Sequence, residues 1–296
     1  MYNKFSKEFL KKRIKARETG ISWIGEKRRN NIMDLQLKGK TVLVTGASEG
    51  IGKAIALAYA KENATVYISS RDPEKLMEAM AHIREETNNP NVTFIECDMK
   101  EKSQIEEMVQ QIIEKEESID VLINNAGGPP SGSFMETEEA DWYHAFEQNL
   151  LSVVRATKQV IPFMKKNQAG GRIVTITSSS IKQSIDGLIL SNTMRPGALG
   201  LTKSLAREFA DASILVNTVG PGKIGTNRLQ QLMESQAEQT GEAIEKIEAE
   251  NVEAIPMNRV GTPEEFAQAV LFLGSFANTY ITGQSLIVDG AAIPAL

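Results

Sequence analysis

Three glycines, Gly46, Gly50 and Gly52, follow directly on the apolar run Val42-Leu43-Val44 and stand at the head of a helix-like pattern, Ile51, Ala54, Ile55, Ala58, Tyr59. The run reads as a buried parallel strand. Glycine turns tightly and lets backbone approach a ligand without a Cβ in the way. The first N–H groups of the following helix then face that ligand, and their partial positive charge suits a pyrophosphate. Gly46, Ser48, Glu49, Gly50, Ile51 and Gly52 are therefore candidate contacts of a phosphate-rich cofactor.

The elements that position such a loop come next. A second strand, Ala64–Ser69, ends in Ser70-Arg71. In dinucleotide folds an acid at this strand end holds the ribose 2′-hydroxyl, whereas a base nearby accommodates a 2′-phosphate. Ser70 stands where the acid is expected and Arg71 can clamp a phosphate, so NADP(H) is preferred over NAD(H). Glu49 in the glycine loop argues the other way, because NADP users often carry a base there. Further strands are expected at Val92–Glu96, Ile119–Ile123, Gly171–Ser178 and Ile214–Val219, with a closing one within 281–290. Between Glu96 and Ile119 lies a helix with Ile105, Met108, Val109 and Ile112 inward. Strands alternating with helices predict an α/β domain.

Composition narrows the function classes. The chain has 296 residues and is 41% hydrophobic, enough for one large domain. Cys97 is the single cysteine, so an intrachain disulfide is impossible and a reducing, cytoplasmic location is expected. One cysteine and two histidines offer no transition-metal cluster, and no metal is expected. No apolar run reaches membrane-span length. Residues 1–32 hold ten Lys/Arg against three Glu, while the remainder holds 23 basic and 35 acidic residues. That acidic balance disfavours a nucleic-acid partner. The basic segment could form a short membrane- or partner-binding helix through Phe5, Phe9, Leu10 and Ile14. Lys27-Arg28-Arg29, however, can be encoded by a purine-rich run resembling a ribosome-binding site, with Met33 a few codons on. Residues 1–32 are thus expected to be translated leader and 33–296 the working domain.

Thr45-Gly46-Ala47-Ser48-Glu49-Gly50-Ile51-Gly52 resembles the T-G-x-x-x-G-x-G signature of the short-chain dehydrogenase/reductase family. Asn124-Asn125-Ala126-Gly127 matches that family's N-N-A-G motif, and Asn149 stands where it keeps a helix-bending asparagine that holds a water in a proton relay. The resemblance covers residues 37–292 and is nearest to 3-oxoacyl-carrier-protein reductases. It implies a single Rossmann-type doubly wound domain, with about seven parallel strands and helices on both faces. It further implies that Asp98 and Met99 meet the adenine, that Asn125, Ala126 and Gly127 back the cofactor's adenosine side, that Ile176 also touches the cofactor, that Pro221 and Gly222 pass the nicotinamide, and that Ile224 and Thr226 meet its carboxamide and the phosphates. Residues 227–253 fall at the family's mobile substrate lid. The expected partner is a small carbonyl or alcohol substrate, and the expected assembly a homo-oligomer, dimer or tetramer.

Ser178 aligns with the family's catalytic serine. Thirteen positions on, where the family has Y-x-x-x-K, this chain reads Ser191-Asn192-Thr193-Met194-Arg195. A phenol titrates near 10 and can be tuned to donate a proton, whereas an aliphatic hydroxyl is a far weaker acid. Arg195 can hold ribose hydroxyls and supply charge but cannot release a proton. Lys203 lies eight residues further, about 12 Å along a helix, too far to substitute. The resemblance thus implies a catalytic set of Asn149, Ser178, Ser191 and Arg195, suited to a substrate needing little acid help. Two readings follow: an NADP-dependent carbonyl reductase or alcohol dehydrogenase with a non-standard acid/base site, or a non-catalytic NADP(H)-binding sensor or scaffold.

Overall fold

In this computed structural model residues 33–295 are described, and the expected leader, residues 1–32, lies outside them. The chain divides into two units, residues 1–34 and 35–296, and the second carries the whole sheet.

Seven strands form it: β1 Thr41–Thr45, β2 Thr65–Ser70, β3 Val92–Glu96, β4 Val121–Asn124, β5 Gly171–Ile176, β6 Ile214–Pro221 and β7 Ser285–Val288. All pair in parallel, in the order β3-β2-β1-β4-β5-β6-β7. The order reverses between β1 and β4, and in such sheets ligands bind outside the carboxyl ends of the strands at that switch. The helices are α1 Gly50–Lys61, α2 Pro73–Thr87, α3 Lys102–Glu116, α4 Glu139–Phe146, α5 Ser152–Met164, α6 Ile189–Glu208, α7 Asn227–Thr240, α8 Ile244–Glu253 and α9 Pro263–Leu273.

Alternating side chains on each strand serve two cores. Val42 and Val44 of β1 join Ile55, Tyr59, Leu76, Phe266 and Val270 from α1, α2 and α9. Leu43 points the other way, into Ile105, Met108, Ile112, Val160 and Met164 from α3 and α5. The expected single-domain doubly wound fold is what the structure shows. No helix among the described residues is long and apolar enough to cross a membrane, and no metal-ligand cluster occurs among them.

Three local details bear on the site. The long helix expected after Thr137 runs without a gap through α4 and α5, with a π-helical turn, Glu147–Leu151, between them. A 3₁₀ turn, Ser179–Ile181, follows β5. The segment 227–253 is two helices rather than one, because Gly241 takes a left-handed φ of 70° between them.

At the amino ends of the strands the structure is tied shut. Asp120 accepts from Thr41 N at 2.9 Å, from Lys40 Nζ at 3.2 Å and from Asn167 Nδ2 at 2.7 Å. Arg172, 5% exposed at the start of β5, donates to the carbonyls of Gly171, Ser213, Ser275 and Asn278 at 2.9–3.2 Å. Its guanidinium also lies 4.4 Å from the centroid of the Phe276 ring.

Candidate active site

The glycine loop sits at the carboxyl end of β1, beside β4. Gly46 and Gly50 take left-handed φ values of 58° and 55°. A Cβ on Gly52 would fall 2.2 Å from Gly46 O, so the two arms of the loop touch. Asn125 holds the loop to β4: its Nδ2 donates to Gly46 O at 2.8 Å, and Thr45 Oγ1 donates to Asn125 O at 2.7 Å. No side chain caps α1, whose N-cap is Glu49. An uncapped helix start, together with a glycine cradle, suits the pyrophosphate of a dinucleotide.

The adenosine end is more exposed. Ser70 Oγ accepts from Asp72 N at 3.3 Å, and Arg71 is exposed with no carboxylate partner among the described residues. Glu49 lies 3.6 Å from Lys75 Nζ, which partly meets the acid that argued against a 2′-phosphate. Lys75 was not legible as a site residue, since it sits on α2 and reaches Glu49 only through the fold. Asp98 accepts from Lys100 N at 3.0 Å, and Met99 is buried beside it.

The middle of the cleft holds the polar residues. Asn149 falls within the π-helical turn, is 2% exposed, and donates through Nδ2 to Gly127 O at 2.9 Å. Its Oδ1, that of Asn124, and Arg195 Nε are buried with no partner among the described residues. Asn149, Asn124 and Arg195 line one cavity of about 10 Å³, with Thr45, Met99, Asn125, Ala126, Ser152, Val153 and Ile176 completing the wall. That volume is on the scale of a single water molecule.

Ser191 opens α6 and Arg195 follows one turn later, both buried. Arg195 Nη1 donates to Ile176 O at 2.7 Å and Nη2 to Ala126 O at 3.4 Å. Burial, and after it the charge of Arg228, lowers the Arg195 pKa to about 10, so it remains a cation at neutral pH. Asn192 anchors this end of the helix by donating to Ile185 O at 2.8 Å and accepting from Ile185 N at 3.1 Å. The hydroxyl beside Ser191 Oγ is that of Ser180, at 3.3 Å. Ser178 is half-buried, and its Oγ accepts from Ser180 N at 3.1 Å, which shapes the 3₁₀ turn. Ser180 is thus a site residue that the sequence reading passed over in favour of Ser178.

On the opposite wall, Gly222 N donates to Val288 O at 2.9 Å, and a Cβ on Gly222 would meet Asp289 Cβ at 2.4 Å. Ile224 is buried, and Thr226 Oγ1 caps α7 by accepting from Leu229 N at 3.4 Å. α7 crosses the cleft mouth. Asn227 donates to Glu49 Oε2 at 3.2 Å, Arg228 Nη2 donates to Pro129 O at 2.6 Å, and Ser235 Oγ lies 3.4 Å from Ser131 Oγ. Arg228 was not singled out from sequence, where it reads as one of three charges in a polar helix.

The family described as Enoyl-(Acyl carrier protein) reductase matches residues 46–291, from the glycine loop through β7. The chain belongs to the short-chain dehydrogenase/reductase family. Among curated members of this family, 3-oxoacyl-(acyl-carrier-protein) reductase FabG of Thermotoga maritima is 35% identical over 88% of this chain and 100% of its own. NADPH-dependent reductase BacG of Bacillus subtilis is 30% identical over 87% of this chain and 99% of its own. Among solved short-chain dehydrogenase/reductase structures, L-sorbose reductase from Gluconobacter frateurii, complexed with NADPH and L-sorbose, superposes with a TM-score of 0.84 at 28% identity, covering 89% of this chain and 100% of that one.

Proposed function

We propose that this chain is an oxidoreductase that transfers hydride between NADP(H) and a carbonyl or alcohol substrate, using Ser191 and Arg195 in place of a tyrosine–lysine pair. One observation carries the reading. Arg195 and Asn149, whose Nε and Oδ1 are buried with no partner among the described residues, share a water-sized cavity at the carboxyl ends of β4 and β5. A relic that only bound cofactor has no need of polar atoms held unsatisfied there, since each costs free energy to bury.

Gly46, Ser48, Gly50, Ile51 and Gly52 would hold the pyrophosphate, Asp98 and Met99 the adenine, and Pro221, Gly222, Ile224 and Thr226 the nicotinamide end. When bound, the cofactor supplies or accepts the hydride. The chain's own residues manage charge and proton. Arg195 places a fixed cation where negative charge develops on the substrate oxygen. Ser191 donates a hydrogen bond to that oxygen, and Ser180 at 3.3 Å orients the Ser191 hydroxyl. Arg195 cannot release a proton, so the net proton comes from water held by Asn149. Ser178, accepting from Ser180 N, keeps the turn in place.

NADP(H) over NAD(H) is supported by Ser70, by Arg71, which has no carboxylate partner among the described residues, and by the NADPH named for BacG and for the sorbose reductase structure. A cytoplasmic, homo-oligomeric protein completes the reading. The edge strand β7 leaves Leu286 44% exposed, a surface a second copy would cover.

NADPH oxidation against ketones, aldehydes, quinones, 3-oxoacyl thioesters and 2-enoyl thioesters tests the reading, with cofactor binding measured beside it. Turnover that falls about 100-fold in Ser191→Ala, with NADPH affinity kept, is expected. NADPH binding without turnover on any class would make the chain a sensor or scaffold instead.

A further inference from the structure

We propose that Arg228 anchors a carboxylate on the substrate, so that the preferred substrates are oxo acids rather than neutral carbonyl compounds. The inference rests on the hydride-transfer reading above and deepens it.

Two guanidiniums converge on one short loop. Arg195 donates to Ala126 O at 3.4 Å and Arg228 to Pro129 O at 2.6 Å. Arg228 is half-buried, and its guanidinium packs over Gly128, where a Cβ would lie 3.4 Å from Nε and Nη2. Arg195 is 6% exposed, and its Nε has no acceptor among the described residues. Neither arginine pairs with a carboxylate among those residues. Each side chain spends donors on neutral carbonyl oxygens, which leaves two like charges facing the same cleft. An anion between them offsets that repulsion. A carboxylate fits best because the guanidinium fork matches it through two parallel hydrogen bonds.

The structure also separates Arg228 from the phosphate side. Its neighbour Asn227 turns to Glu49 of the glycine loop, and Thr226 packs on Gly50. Arg228 turns instead to the loop after β4. That loop continues to Gly132, whose N donates to Gly187 O at 2.6 Å and whose O accepts from Ile189 N at 3.4 Å, directly ahead of Ser191. The loop that Arg228 holds at Pro129 is therefore the one bonded to the start of the helix that carries Ser191. On sequence alone it was one of several charges in a polar helix; only the fold brings it to Gly128.

The test compares 2-oxohexanoate and 3-oxohexanoate with their methyl esters in the protein loaded with NADPH or NADP⁺. Affinity is read by calorimetry and turnover by NADPH oxidation, in wild type, Arg228→Gln and Arg228→Lys. Wild type is expected to prefer at least one acid over its ester by about tenfold or more, the scale of one charge-assisted pair. Arg228→Gln should erase that ratio and Arg228→Lys restore part of it, with NADPH affinity unchanged within about twofold. Two results overturn the proposal. One is that no acid is preferred over its ester. The other is that Arg228→Gln weakens NADPH about tenfold while the acid-to-ester ratio stays, which would make Arg228 a ligand of the cofactor phosphates. Acid binding that depends on Arg228 without any turnover would uphold the anchor and sink the hydride-transfer reading; turnover of acids and esters alike would do the reverse.

Discussion

A buried arginine meets each end of β5, and the two are treated differently. At the amino end, Arg172 has four carbonyl acceptors and an aromatic ring beneath it. At the carboxyl end, Arg195 reaches from α6 to Ile176 O, has no partner for Nε among the described residues, and feels the charge of Arg228. Both pKa values are lowered to about 10, mainly by burial. The same desolvation is compensated by local bonds in one place and left open in the other. A buried charge with every donor used is architecture; one held with a donor free and a like charge nearby is poised for a ligand.

The largest difference should come from removing each in turn. Arg172→Met strands three buried carbonyls, those of Gly171, Ser275 and Asn278, and should cost about 3 kcal/mol of stability in a denaturant titration, with specific activity of the folded fraction kept. Arg195→Met should change stability by about 1 kcal/mol or less, because an incompletely compensated charge leaves with the side chain. Its turnover should fall about 100-fold. Equal destabilisation in the two variants, with turnover intact in Arg195→Met, would erase the contrast.

A smaller effect follows from titration. Because the folded chain binds the Arg195 proton less tightly than the unfolded chain does, this group lowers stability below about pH 10. The cost fades only as pH rises from there towards its ordinary value of 12.5. Over about pH 6 to 9 Arg195 stays charged, so turnover should be flat, with a decline only as pH nears 10. A rate profile breaking near pH 7 would assign the chemistry to another group. The mildest effect is expected furthest from the cavity: Arg71→Ala, an exposed residue, should lower the NADPH-to-NADH preference about tenfold without changing turnover at saturation.

What was legible in the sequence divides along the same line. Gly46, Gly50, Gly52 and Asn125 are read from short spacings, because loop and cradle are local chemistry. Seven strands follow from apolar runs at regular intervals, although their ends shift: β7 is confined to Ser285–Val288 within the wider expected segment. Ser191 and Arg195 are located through their register on Ser178, yet the partner of Ser191 is Ser180, because the 3₁₀ turn rotates the second hydroxyl inward. Arg228 meets Pro129 across 99 residues, and Arg172 meets Asn278 across 106. Neither separation leaves a periodic mark, so the partners of both arginines are hidden until the chain is folded.

The π-helical turn at Glu147–Leu151 has a consequence in genetic terms. A turn closed over five spacings is the trace of one residue more than an α-helix needs. Replacing Asn149 alters one side chain and leaves the rod as it is. Deleting a single codon there would return the turn to α-helix and keep the phase of everything after it, since the π turn had absorbed the extra residue. Ala156, Val160 and Met164 of α5, all within the core, would then stay on the sheet. The insertion that bends Asn149 into the cleft is thereby independent of the packing behind it: loss of the extra residue is expected to spare the fold and to take Asn149 out of the site.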